Sequence, residues 1–159
     1  MTTLDSRPSS DVSIKLIDAR GPRFGAILTT LVLAATLLTV PSTISIILLS
    51  FQTLVFALGS LVGLAAQPYG VIYRRFVQPK LGAPTDVEDP RPPRFAQTVG
   101  LLFAVVGLVA LLTGATSVAY IAVGAALAAA FLNAAFNFCL GCEMYLIGRR
   151  IFGRSSVSS

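Results

Sequence analysis

Histidine is absent from the 159-residue chain, only two cysteines are present, and charged residues make up 12% of it. Without imidazole there is no side chain that titrates readily near neutral pH and no Cys/His zinc site, so histidine-based catalysis is excluded. Two cysteines are too few to staple a small secreted domain. No cleavable signal peptide precedes the first apolar run, and the start is instead polar, as expected of a segment without its own fold. Charge is also missing from long internal stretches. Phe24 to Val40, Ile44 to Tyr73, Phe95 to Thr113 and Val118 to Cys142 contain no Asp, Glu, Lys or Arg.

With 55% hydrophobic residues and a mean hydropathy of +0.81, the chain is too apolar for a water-soluble domain of its size. A helix crossing a bilayer needs about 20 apolar residues, and four such stretches are available. The expected fold is an all-α membrane protein with four transmembrane helices at about 22–40, 44–67, 93–113 and 118–147. A tight turn at Pro41 to Thr43 joins the first two, and Pro68 is expected to end or kink the second. From Arg74 to Arg94 the chain carries five prolines and is read as a polar loop. Residues 1–17 and 153–159 are read as disordered, and 77–88 as the loop between two hairpins at 18–76 and 89–152.

Those hairpins begin alike. Asp18-Ala19-Arg20-Gly21-Pro22-Arg23-Phe24 returns as Asp89-Pro90-Arg91-Pro92-Pro93-Arg94-Phe95. Arg74-Arg75-Phe76 near the end of the first is matched by Arg149-Arg150-Ile151-Phe152 in the second. A unit that crosses twice returns its end to the starting side, so the expectation is a parallel internal repeat about an axis along the membrane normal. All 12 Lys and Arg lie outside the two hairpin turns. That distribution places both termini and the central loop in the cytoplasm, in a multi-pass membrane protein. It also explains the net charge of +5 and pI near 9.8 without nucleic acid as a partner. The expected partner is the lipid bilayer.

Gly59 and Gly63, with Gly124 and the alanines from Ala125 to Ala130, suit close helix packing; internal packing is favoured and homo-oligomerisation left open. Gln52 and Gln97 are read as interhelical hydrogen-bond partners. Arg20, Arg23, Arg91 and Arg94 are candidates for binding lipid phosphates at the helix entrances, or alternatively a soluble anion at the two helix N-termini.

The candidate chemistry is Cys139-Leu140-Gly141-Cys142-Glu143. On one continuous helix Cys139 would share a face with Cys142 and Glu143, and Asn133 with Asn137. Two thiols at this spacing close a disulfide, and Glu143, the only carboxylate in either membrane stretch, is a candidate proton acceptor. Packing cysteines are the alternative reading. No metal site is expected, since two thiolates and one carboxylate leave a tetrahedral shell short.

Asp89 to Gln97, reading DPRPPRFAQ, and Asn133 to Tyr145, reading NAAFNFCLGCEMY, resemble an uncharacterised bacterial membrane family known as domain of unknown function 4395, from about Asp18 to Arg150. The resemblance adds no established reaction or cofactor. Genes of that family often neighbour thioredoxin-like and sulfurtransferase genes, so the resemblance implies a thiol-redox or sulfur-relay role for Cys139 and Cys142, with such a protein as partner. A small transporter or channel subunit for a sulfur-containing anion, or a structural membrane subunit, are the alternative functions.

Overall fold

The computed structural model describes residues 14–153. Helices α1 (Arg20–Thr39), α2 (Thr43–Ala57, continued by a π-helical turn Leu58–Val62), α5 (Arg91–Thr113) and α6 (Thr116–Phe136) are each long and apolar enough to cross a membrane. Shorter elements follow each pair: α3 (Pro68–Ile72), a π-helical turn Tyr73–Val77 and α4 (Gln78–Leu81) after the first, and α7 (Leu140–Gly153) after the second. Large apolar side chains face outward along the spans, with Leu38 86% and Ile121 73% exposed. In water that surface would aggregate; in hydrocarbon it is the expected lipid face.

The spans interlock across the two halves. Helix α1 packs on both α2 and α6, and α5 on both α6 and α2. Leu33, Leu49, Phe56, Ala104, Val123 and Ala126 form the common core. Close approach is real at Gly107, where a Cβ would lie 2.9 Å from a Val123 methyl. Gln52, fully buried, donates to Thr29 Oγ1 (3.3 Å) and accepts from the Tyr69 hydroxyl (2.9 Å), so this interhelical glutamine is satisfied.

The opening motif is explained residue by residue. Asp18 Oδ1 accepts the Arg20 amide N–H at 3.0 Å, and Asp89 Oδ1 that of Arg91 at 2.9 Å, so each carboxylate caps a first helical turn. The same carboxylates hold the Arg20 and Arg91 guanidinium groups at 2.9 and 2.6 Å. Arg23 then donates to the Ala134 carbonyl (3.1 Å) near the end of α6, while Arg94 donates to Ser60 and Leu61 (2.7 and 2.6 Å) near the end of α2. Each arginine therefore covers orphan carbonyls at the end of a helix in the other half. Phe24 packs on Tyr73 and Phe95 on Tyr145, with ring centroids 5.7 and 5.8 Å apart.

Several boundaries differ from expectation. The second span ends at Gly63 (φ 131°), not near 67, and Pro68 starts a new helix. Gly63 is thus a terminator rather than half of a Gly-x-x-x-Gly packing pair. The fourth span stops at Phe136 instead of running to 147, because Asn137 takes the left-handed conformation (φ 54°) that asparagine tolerates better than most residues. Asn133 and Asn137 therefore do not share a helix face; the Asn137 amide caps the Asn133 carbonyl. The segment read as a polar loop is also more ordered than expected. It contains α4 and a two-residue strand β2 (Val87–Glu88), paired antiparallel with β1 (Ile17–Asp18). Ile17 is thereby held in a strand and Gly153 ends α7, while Ile14 to Leu16 have no regular structure; the rest of the termini read as disordered lies outside the described residues.

Asp18 joins this strand pair to α1 and to Tyr73, whose hydroxyl donates to Asp18 Oδ2 at 2.8 Å. The Arg20 side chain, bonded to the carboxylate, holds its pKa below the usual value of 3.8, and the Tyr73 bond acts in the same direction. A depressed folded-state pKa gives stability that is complete above about pH 4 and is lost as pH falls through the depressed value. Asp18→Asn should lower the melting temperature of detergent-solubilised protein at pH 7, and the gap should close on acidification. An unchanging gap across that range would show that the carboxylate charge is not what Asp18 contributes.

Candidate functional site

Asn137, Phe138 and Cys139 separate α6 from α7. Cys139 precedes the first residue of α7, and its sulfur accepts the Cys142 amide N–H at 3.3 Å. One turn of helix brings the Cα atoms of Cys139 and Cys142 to 5.2 Å, and the two sulfurs are joined as a disulfide. The pair therefore sits at a helix N-terminus, where free N–H groups and the helix dipole stabilise negative charge on sulfur when the bond opens.

Helix α7 is amphipathic and not the tail of a span. Leu140, Met144, Ile147 and Ile151 make one exposed apolar stripe, whereas Glu143, Arg149 and Arg150 are exposed polar positions. Its pattern is that of helices that lie along a membrane interface. Glu143 is accordingly exposed, and its side chain has no partner among the described residues; only its backbone N–H bonds, to the Cys139 carbonyl at 3.0 Å. Gly141 fixes α7 to α5. It is buried, and a Cβ there would sit 2.6 Å from both Cα and Cβ of Ala96. The glycine inside the Cys-x-x-Cys is thus a packing requirement that the motif alone did not disclose.

A cavity of about 330 Å³ opens beside the disulfide. Its walls include Pro22, Phe56, Gln97, Phe103, Ala129 and Cys139, and among the described residues no charged one lines it. Gln97 does not find the interhelical partner expected of it. Its Oε1 is buried without a hydrogen bond, as is Oε1 of Gln67, itself 3% exposed. These oxygens come within 2.9 and 2.7 Å of the point a Cβ on Gly59 would occupy, so Gly59 makes room for both amides. A second cavity of about 440 Å³ lies by the first opening motif, lined by Lys15, Asp18, Gln67, Tyr73 and Arg74 among others. Arg20, Arg23, Arg91 and Arg94 line neither cavity; each bonds within the protein as described above.

Four apolar spans with a disulfide at the N-terminus of an amphipathic helix define a helical membrane protein carrying a two-cysteine site. Residues 17–150 match the family described as "Domain of unknown function (DUF4395)", and the chain belongs to that family. No curated protein and no solved structure matches it.

Proposed function

We propose that the protein is a thiol–disulfide or sulfur-relay component of the bacterial cytoplasmic membrane, with Cys139 and Cys142 cycling between dithiol and disulfide. The observation that carries this reading is the position of the disulfide, half-buried at the N-terminus of an amphipathic helix. The absence of Lys and Arg from both hairpin turns supports cytoplasmic termini and central loop. A disulfide on that side is exposed to a reducing pool, and cytosolic disulfides are usually catalytic or redox-sensing and not structural. A thioredoxin-like or sulfurtransferase protein is the expected partner. Glu143, next to Cys142, is positioned in sequence to take a proton as the disulfide forms.

The two hairpins are read as copies of one unit. The reciprocal bonds of Arg23 to α6 and Arg94 to α2 support that. Arg20, Arg23, Arg91 and Arg94 mark the lipid headgroup level at the two entrances, and their internal partners favour anchoring over soluble-anion capture.

Trapping thiols in intact cells with a membrane-permeant and an impermeant maleimide tests the reading. Reversible loss of two reactive thiols under mild oxidant, with labelling by the permeant reagent alone, is the expected result. Labelling by the impermeant reagent would reverse the proposed topology, and thiols that never oxidise would make the cysteines packing residues.

A further inference from the structure

The cavity beside Cys139 is a feature that the thiol–disulfide reading leaves unused. Its ligand should be neutral, since among the described residues no Lys, Arg, Asp or Glu lines the walls to hold a phosphate or carboxylate. It must suit an apolar, partly aromatic wall formed by Phe56, Phe103 and alanines. It should also offer a hydrogen-bond acceptor, because the side-chain amide of Gln97, a wall residue, makes no hydrogen bond among the described residues. The wall residues Leu140 and Met144 are exposed, so the cavity reaches the surface beside the amphipathic helix. About 330 Å³ falls within the range of small-molecule sites and accommodates a single substituted ring.

We infer that the cavity binds the ring of a lipid-soluble quinone, which exchanges two electrons with the cysteine pair. The inference rests on the redox reading of Cys139 and Cys142 and supplies its membrane-side partner. Charged nicotinamide and flavin nucleotides have no counter-ion in this cavity, whereas a quinone is neutral and dissolves in the bilayer. In the step, the two S–H bonds of Cys139 and Cys142 break and one S–S bond forms. The two electrons and two protons released convert both quinone carbonyls to hydroxyls. The Gln97 side-chain amide N–H donates to one quinone oxygen. The reverse direction balances identically.

The test uses the full chain in lipid nanodiscs, reduced with dithiothreitol, desalted under anaerobic conditions and mixed with decyl-substituted ubiquinone. Quinol is followed by absorbance and thiols by maleimide mass shift. The expected result is one quinol per cysteine pair oxidised, abolished in Cys139→Ser and Cys142→Ser. Ala129→Phe, which fills the cavity, should slow quinol formation about tenfold or more while leaving oxidation by glutathione disulfide intact. Gln97→Leu should raise the quinone KM roughly fivefold, the loss of one hydrogen bond. If the pair exchanges with glutathione disulfide but makes no quinol, or if Ala129→Phe reduces quinone at the wild-type rate, the cavity assignment is wrong and the thiol–disulfide reading stands. If the pair exchanges with neither oxidant, both are wrong.

Discussion

Replacing Gly141 by leucine should detach α7 from α5 and take the cysteine pair with it. Even a methyl at this position would meet Ala96 Cα and Cβ at 2.6 Å, and Ala96 lies in the first turns of a spanning helix that cannot easily move. Overpacking of this kind costs about 1–3 kcal/mol, and leucine belongs at or beyond the upper end. The expected results are a lower melting temperature in detergent and faster proteolysis after Phe136, with the four spans still inserted. Unchanged protease resistance of α7 would show that the Gly141–Ala96 contact does not hold the helix. Gly148, which has open space around it, is the control, since leucine there should change little.

Single serine substitutions of the cysteines should behave unequally. Both abolish two-electron cycling, because one sulfur cannot close the bond. They differ in what they trap. The Cys139 sulfur receives the Cys142 amide and faces the start of α7, so the thiolate is best stabilised there. Cys142→Ser should therefore leave a reactive Cys139 that accumulates a mixed disulfide with a thioredoxin-like protein, visible as a reducible adduct on a non-reducing gel. Cys139→Ser should give at least several-fold less adduct. Equal trapping, or the opposite order, would place the attacking thiol at Cys142.

Four spans, their approximate limits and the outline of two hairpins were legible in the sequence because they depend on long uncharged runs, a signal that lipid makes nearly unambiguous. The ends of the second and fourth spans were not. Gly63 and Asn137 each stop a helix through one positive φ angle, and the apolar composition continues past both without a charge to mark the break. The cysteine pair was legible as a motif, but not its place at the start of α7, with Cys139 before the first residue and Cys142 in the first turn, which turns on Asn137. The amphipathic character of α7 could have been found from the spacing of Leu140, Met144, Ile147 and Ile151 against Arg149 and Arg150. The cavity could not, since it arises where alanines on α6 face Phe56, Phe103 and Gln97 on other helices. Helix-entrance arginines suggested phosphate or anion binding; their bonds to helix-end carbonyls depend on packing between halves that no local pattern encodes.

The central claim, that Cys139 and Cys142 form a reversible redox pair, is tested most directly by equilibrating the purified protein in lipid with a series of dithiothreitol redox buffers and counting thiols by mass. The account predicts one two-electron transition in which both thiols appear together and disappear again on reoxidation. Two thiols that fail to pair in the most oxidising buffer, or a disulfide that persists in the most reducing one, would contradict it.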